Sequence, residues 1–292
     1  MNPPQCIWAL GAELGEGPLW MADSQQLYFV DILGKQVYRC AGDGGQRQSW
    51  PMPRRVGFIL PMADSDDMVV GLQGSLQRFN PRTGELQHLL DVAPERAELR
   101  INDGHVDAQG RLWFGTMHMD CDLPIGHLYR VSATGALLPQ DGPYVCTNGP
   151  AQSPDGRALY HTDTMQQAVW AFDVADDGAL SGKRLFASFK NGYPDGTAVD
   201  AEGHVWIALF AGGRIERYTP QGQLVQTVPF PCSNVTKLAF GGPDLRTAFA
   251  TTARTGLSPQ ERAAQPLAGG LFSFRVDTPG LLQHHVSEGF AP

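Results

Sequence analysis

A strand-like segment recurs six times along this chain at nearly constant spacing. The six segments are apolar on both faces and begin at residues 27, 69, 112, 159, 205 and 248, so successive starts lie 42 to 47 residues apart. They read LYFVDI, VVGL, LWFGT, LYHTD, VWIAL and AFATT. A repeat of about 40 to 50 residues is typical of the blades of a β-propeller, each of which contains four strands.

Turns and further strands accompany most of these segments. Chain reversals rich in Gly, Pro and Asp precede several of them, as in DAQG, SPDG and DAEG,. Another strand follows most of them, as in QVYRC, HLYRV and RIERYT. No helical stripe accompanies the repeat, which argues against a helical solenoid. The repeat therefore predicts an all-β, six-bladed β-propeller with four antiparallel strands per blade. Two stacked β-sandwiches are the alternative architecture.

The whole chain, residues 1–292, is predicted to form one domain, because no linker or low-complexity stretch divides it. The segment 255–266 (TGLSPQERAAQP) falls inside the last repeat, where it is expected to form a short helix or a surface loop. We expect a strand near Trp8 to pair with the last blade and close the ring, since closure protects both sheet edges.

Composition restricts the partners and the compartment of the protein. The formal net charge of −8 and the absence of a Lys/Arg cluster argue against nucleic-acid binding,. The start of the chain, MNPPQCIWAL, lacks the basic and apolar regions of a signal peptide, and no apolar run is long enough to span a membrane,. Five scattered cysteines without a C-x-x-C pair are typical of free thiols,. We therefore expect a cytoplasmic protein, a monomer or small homo-oligomer, that binds neither nucleic acid nor a membrane.

Polar residues occupy one phase of the repeat. Ten or eleven residues before the segment lie Glu16, Asn102, Asn148 and Asp195, each followed within two residues by Gly. Equivalent positions of a propeller lie at equivalent places around its axis, so these side chains are expected to converge at one mouth of the central channel. Two carboxylates and two amides make an oxygen-rich site that suits Ca²⁺, Mg²⁺, Mn²⁺ or Fe²⁺.

The second and sixth repeats break this pattern. They carry Phe58 and Ile59, and Lys237 and Leu238, which are expected to form apolar and cationic parts of the wall. Each polar motif taken alone is also typical of a turn whose side chain bonds its own backbone. Agreement of phase in four repeats favours a site. Sequence motifs of serine hydrolases, zinc proteases and nucleotide-binding loops are absent,.

These motifs resemble those of the gluconolactonase and regucalcin (senescence marker protein) family, especially its bacterial sugar-lactonase branch. The resemblance runs from LGEGPLW to PLAGGLF at 266–272 and includes RINDGHVDAQGRLWFGTM, TNGPAQSPDGRALYHTDT and YPDGTAVDAEGHVWIALF. It implies a six-bladed propeller that hydrolyses aldonolactones with one divalent cation, whether Ca, Zn, Mn, Mg or Fe(II).

The resemblance also implies roles for individual residues. The family's metal ligands match Glu16, Asn148 and Asp195, and its substrate-binding motif matches Arg100 and Asn102. Asp120 is the nearest match to an acidic residue that contacts the sugar in some members. Asp195 is the expected general base for the attacking water, with metal-activated water as the alternative.

The sequence motifs do not specify a single substrate. It is expected to be a sugar lactone such as xylono-, arabinono-, galactono- or glucono-lactone. Related propellers hydrolyse organophosphates or aryl lactones, and a non-catalytic metal-binding regulatory propeller is the other alternative. A polar mouth favours a sugar, whereas an apolar lid favours the aryl or organophosphate substrates.

Overall fold

The structure is a computed structural model that describes residues 3–132 and 135–287. Within these ranges the strands form six four-stranded antiparallel sheets, which confirms the six-bladed β-propeller with four strands per blade. Each sheet is one blade. No helix in the described ranges has the length and apolar character needed to cross a membrane.

The strands of each blade follow one another in the chain. The first two blades contain β2 (Gly15–Met21), β3 (Gln26–Asp31), β4 (Gln36–Ala41), β5 (Gln48–Pro51), β6 (Val56–Pro61), β7 (Met68–Leu72), β8 (Ser75–Phe79) and β9 (Leu86–Asp91). The next two contain β10 (Leu99–Val106), β11 (Leu112–His118), β12 (Gly126–Val131), β13 (Leu137–Tyr144), β14 (Thr147–Gln152), β15 (Ala158–Asp163), β16 (Ala168–Val174) and β17 (Leu180–Ser188). The fifth contains β18 (Tyr193–Val199), β19 (Val205–Phe210), β20 (Arg214–Tyr218) and β21 (Leu224–Pro229).

The sixth blade closes the ring with a strand from the start of the chain. Its order is β22 (Val235–Gly241), β23 (Thr247–Thr252), β24 (Leu271–Arg275) and β1 (Gln5–Trp8), read outward from the axis. The predicted closure near Trp8 is thus confirmed, with Gln5 opposite Ser273. The Thr236 hydroxyl also donates a 2.6 Å hydrogen bond to the Gly15 carbonyl, which joins the sixth blade to the first.

The six repeated segments are the second strands of the blades, and apolar side chains cover both of their faces because neighbouring blades pack on each side. The Asp residues of two predicted turns act in this core. The Asp107 carboxylate accepts a hydrogen bond of 2.8 Å from the buried Trp113 indole, and Asp200 accepts one of 2.9 Å from Trp206. The turn motifs therefore also orient core side chains.

The predicted insertion in the last blade is a short helix. Helix α1 (Pro259–Ala264) lies between β23 and β24, within the segment 255–266. Ser258 caps it, with Glu261 completing a capping box, so two free backbone N–H groups of the first turn are satisfied,.

The first strand of each blade lines the axis and contacts the first strands of the two neighbouring blades. Because first and second strands are antiparallel, first strands begin on the face of the ring where second strands end; Glu16 pairs with Val30, and Asn148 with Thr162. We call this face the mouth face and the opposite one the far face. The segment 276–287 crosses the far face, with Gly280 paired to Asp200 and Val286 to Met62.

Candidate metal and active site

Irregular strand pairing shapes the four polar motifs. In each of their first strands the register with the second strand shifts at the motif, between Glu16 and Leu19, Ile101 and Gly104, Asn148 and Ala151, and Pro194 and Thr197. A β-bulge of this kind bends a strand and re-aims its side chains. Gly17 and Gly149 support two of the bulges with φ angles of 53° and 41°, which favour glycine,.

The structure brings the four residues of the common phase to the mouth face, where all are buried. The Asn102 Nδ2 atom donates hydrogen bonds to the Thr147 carbonyl (2.6 Å) and to the Asn148 Oδ1 atom (2.7 Å). The carboxyl groups of Glu16 and Asp195 are hydrogen-bonded to each other. The site is therefore composed of one carboxyl pair and one amide pair.

Burial and mutual repulsion hold protons on the two carboxyl groups. Burial is the largest cause that raises the pKa of Glu16 to about 7, and the nearby charge of Asp103 adds to it. Burial and the charge of Glu16 raise the pKa of Asp195 well above its usual range. A cation between two neighbouring buried carboxyl groups stabilises their ionised forms. The Glu16–Asp195 pair therefore fits a divalent ion.

The donor set is made of oxygen atoms. Among residues 3–132 and 135–287, no group of three or more His, Cys, Asp and Glu is arranged to hold a metal ion. A cation bound by Glu16 and Asp195 therefore depends on a third donor of another type. The Asn148 Oδ1 atom, which accepts the bond from Asn102, is such a donor.

Arg100 and Asn102 form a connected pair on β10. The Arg100 guanidinium donates from Nη1 to the Asn102 Oδ1 atom and, at 3.3 Å, to the Ile101 carbonyl. This bond orients the Asn102 amide so that its Nδ2 atom faces Asn148. The Arg100 Nε atom is buried and has no hydrogen-bond partner among the described residues.

Asp120 is not joined to this network. It is exposed in the connection between β11 and β12, which lies on the mouth face, and it forms no hydrogen bond or ion pair with the described parts of the chain. Its predicted contact with the sugar therefore depends on substrate approaching over this connection.

Sequence reasoning missed Asp103 and understated Lys237. The Lys237 ammonium group, from the sixth blade, bonds the Asp103 carboxylate of the third blade across the channel. Asp103 also accepts a 3.0 Å bond from the Gly149 N–H group, beside Asn148. The sequence pattern could have indicated both residues. Lys237 lies at the same position of its repeat as the four polar residues, and Asp103 directly follows Asn102.

A pair of thiols beside the site was missed as well. Cys146 lies two residues before Asn148, and its Sγ atom is 3.8 Å from the Asn148 Nδ2 atom and 3.6 Å from the Met117 Sδ atom. Its thiol is hydrogen-bonded to Cys121, from the β11–β12 connection, and this bond lowers the pKa of Cys121 to about 7. The two cysteines are 25 positions apart in the chain, so their spacing shows no motif.

The channel widens on the far side of these residues. A cavity of about 600 Å³ extends from Asp103 and Lys237 to the segment 276–287, where His284 and His285 line it. Substrate that reaches the carboxyl pair from the mouth face therefore does not cross this cavity.

Comparison with known proteins identifies the family. The model of the SMP-30/gluconolactonase/LRE-like region matches residues 14–254. This chain belongs to that family. It is 35% identical to 6-deoxy-6-sulfogluconolactonase of Pseudomonas putida over 280 residues, covering 94% of this chain and 96% of the relative. It is 35% identical to L-arabinolactonase of Azospirillum brasilense, covering 89% and 87% of the two chains.

Solved structures show the same fold. The calcium-binding protein regucalcin of Agrobacterium tumefaciens superimposes with a TM-score of 0.93 at 24% identity, covering 98% of this chain and 97% of the other. At that identity the likeness supports the architecture alone. The resemblance predicted from the motifs and the propeller predicted from the repeat are both confirmed.

Proposed function

We propose that the protein is an enzyme of the gluconolactonase type that hydrolyses a sugar lactone to its aldonic acid with the help of one divalent cation. The observation that carries the proposal is the buried Glu16–Asp195 carboxyl pair, which lies at the mouth face with the Asn102–Asn148 amide pair. The two lactonases that share 35% identity with most of this chain support a lactone as the substrate class.

Glu16, Asn148 and Asp195 would hold the cation. Their hard oxygen donors suit Ca²⁺, Mg²⁺ or Mn²⁺. When bound, the ion supplies Lewis acidity that stabilises negative charge developing on the lactone carbonyl oxygen. Lys237 and Asp103 form an ion pair beside these ligands. The negative charge for the cation would therefore come from Glu16 and Asp195, which would lose their protons as it binds.

Asp195 is the group that removes the proton from the attacking water. Its carboxyl group is buried on a bulge of β18, so the strand holds its position and shields it from bulk solvent. A cation held beside it would favour the ionised form, which is the form that acts as a base. As water adds to the carbonyl carbon, the carboxylate accepts the proton, and the proton then passes to the ring oxygen when the ring C–O bond breaks. The product is an aldonic acid, which releases a proton to solvent and leaves as the aldonate.

Arg100 and Asn102 bind and orient the ring. The Asn102 amide is locked by Arg100 on one side and by Asn148 on the other, so a sugar hydroxyl meets a fixed polar group. Such preorganisation places the carbonyl near the carboxyl pair without a loss of side-chain entropy on binding. Asp120 would add a contact from the β11–β12 connection.

A panel of lactones tests this assignment. Acid release in a pH-stat from glucono-, galactono-, arabinono- and xylono-lactone is measured after chelation and after metal is added back. We expect turnover that depends on metal, and a loss of about 10²–10⁴-fold in kcat for Asp195→Asn. Asp155→Asn, which changes an exposed aspartate outside the site, is the matched control. Parent activity in a folded Asp195→Asn variant contradicts the role of Asp195.

An aryl lactone is a second candidate substrate. Three large apolar side chains, Leu123, Met165 and Tyr193, are exposed on the mouth face around blades three to five. An apolar rim of this kind favours a ring with an aromatic portion. Dihydrocoumarin therefore belongs in the same panel, and a kcat/KM for it above that of every aldonolactone would select this class.

A further inference from the structure

Two arginines occupy matching positions on neighbouring first strands at the mouth face. Arg100 is the second residue of β10, and Arg55 directly precedes β6 in the neighbouring blade. The two strands run in the same direction and approach closely, because a Cβ atom on Gly57 would lie 2.1 Å from the Asn102 carbonyl oxygen. Arg55 lies two residues before Gly57 on one strand, and Arg100 lies two residues before Asn102 on the other. The close packing of the strands therefore brings the two arginines near each other.

Neither arginine is paired with a carboxylate in the described ranges, although the charges of Cys121 and Glu16 act on Arg100. In the described ranges neither forms an ion pair, the Arg55 side chain forms no hydrogen bond, and the Arg100 Nε atom is unpartnered. Arg100 is only 6% exposed and Arg55 is half-buried. Burial lowers the pKa of Arg100, and the charge of Arg55 acts in the same direction.

Several partly buried arginines elsewhere in this protein are ion-paired, whereas Arg39, Arg130 and Arg254 donate hydrogen bonds to uncharged oxygens. Arg111 is paired with Asp107, Arg214 with Glu216, and Arg217 with Asp200. A buried charge without an anionic partner is costly. Within the described ranges Arg100 is the one arginine that is fully buried, so it bears the largest such cost. A guanidinium group is planar and presents several N–H donors, which match the oxygens of a sulfonate, phosphate or carboxylate. The charge of Arg55 acts on Arg100, so one anion could interact with both groups.

We propose that Arg55 and Arg100 bind an anionic substituent of the lactone, so that the preferred substrate is a sugar lactone carrying a sulfonate, phosphate or carboxylate group away from its carbonyl. The proposal rests on the lactonase function given above and names its substrate class. Arg100 serves two purposes in this scheme, because its Nη1 atom orients Asn102 while its Nε edge faces the anion. Arg55 serves only the anion.

Kinetics on a matched pair of lactones tests the proposal. The probes are D-glucono-1,5-lactone and its 6-phosphate, assayed at the same free metal concentration. We expect the parent enzyme to favour the phosphorylated lactone in kcat/KM by at least tenfold. Arg55→Met should remove that preference while changing kcat/KM for the neutral lactone by less than twofold. Equal losses on both lactones, or no loss on either, would overturn the proposal.

The neighbouring Arg54 provides a matched control. It is exposed and its guanidinium donates to the Gln73 carbonyl, at 3.3 Å, so it carries the same charge outside the pair. Arg54→Met should leave the preference intact. A loss of preference in Arg54→Met equal to that in Arg55→Met would show a general effect of surface charge and would contradict a specific site.

A binding measurement separates the substituent from the carboxylate that hydrolysis creates. Gluconate and 6-phosphogluconate both carry that carboxylate, and only the second carries the extra anion. Titration calorimetry on chelator-treated protein should show tighter binding of 6-phosphogluconate by tenfold or more, with the difference lost in Arg55→Met. Equal binding of the two acids, weakened alike by Arg55→Met, would assign the pair to the product carboxylate and refute the proposal.

The lactonase function and the anion site are tested independently by these experiments. If no lactone is turned over but 6-phosphogluconate still binds in a manner that depends on Arg55, the lactonase function is wrong and the anion site stands. If neutral lactones are turned over with metal and Arg55→Met changes neither kinetics nor binding, the lactonase function stands and the anion site is wrong.

Discussion

The carboxyl pair makes a specific prediction about stability when metal is absent. Chelator-treated protein should become less stable as the pH rises from 5 to 8. Glu16 is buried next to Asp195 and Asp103, and this environment favours its protonated form in the folded state. An unfolded chain leaves the same carboxyl group in water, where it ionises freely. The free energy of unfolding therefore falls as the pH rises into the range where this carboxyl group ionises in the unfolded chain.

The magnitude follows from the change in pKa. The pKa of Glu16 rises from 4.5 to about 7 on folding. Between these values the folded state holds a proton that the unfolded state has lost, so the free energy of unfolding falls by about 1.4 kcal/mol per pH unit. The loss is complete above pH 7 and amounts to ~3 kcal/mol from Glu16 alone. For a chain of 292 residues this corresponds to about 5 °C in Tm,. The raised pKa of Asp195 acts in the same direction.

Urea and thermal unfolding at pH 5, 6, 7 and 8 measure this effect, with chelator and with added Ca²⁺ or Mn²⁺. Metal at about 100 times its Kd should restore roughly 2.7 kcal/mol at pH 8. Glu16→Gln should flatten the decline in chelator because the titrating group is gone. A metal-free stability that stays level or rises from pH 5 to 8, or an unchanged decline in Glu16→Gln, would refute the reasoning.

Two further predictions concern residues beside the ligands. Lys237→Met should lower the free energy of unfolding by about 3–5 kcal/mol, because it leaves the buried Asp103 carboxylate without its partner,. In urea unfolding, the double variant Lys237→Met/Asp103→Asn should recover most of this loss. Additive losses from the two substitutions would contradict the pairing. Cys121 should react with iodoacetamide with a midpoint near pH 7, since its pKa is lowered to about 7, and Cys146→Ala should move that midpoint upward in a mass-spectrometric time course. Midpoints near pH 9 in both proteins would show that the thiols do not interact.

The sequence was a sufficient guide wherever the propeller repeats itself. The six segments, the closure near Trp8 and the helix inside 255–266 were predictable because each depends on local pattern and on the near-equivalence of the blades. For the same reason the common phase placed Glu16, Asn102, Asn148 and Asp195 at one face.

The sequence pattern did not predict the contacts between side chains of different blades or of irregular connections. The Lys237–Asp103 bond joins residues 134 positions apart across the channel, and the Cys121–Cys146 contact depends on how one irregular connection folds back. Asp120 lies in that connection, where no repeat fixes the backbone, and it is exposed.

The sequence by itself therefore determined the ring of six blades and the end of the channel at which the polar motifs lie. Tertiary structure alone decided which of those groups interact. Glu16 shares a hydrogen bond with Asp195, Asn102 is held between Arg100 and Asn148, and the charge of Arg55 acts on Arg100. The physical reason is that periodicity along a chain specifies hydrogen-bonded partners within a blade, whereas the sideways packing of blades depends on side-chain volume and on bulges. A glycine at position 57 permits the close approach of two strands that brings the two arginines together.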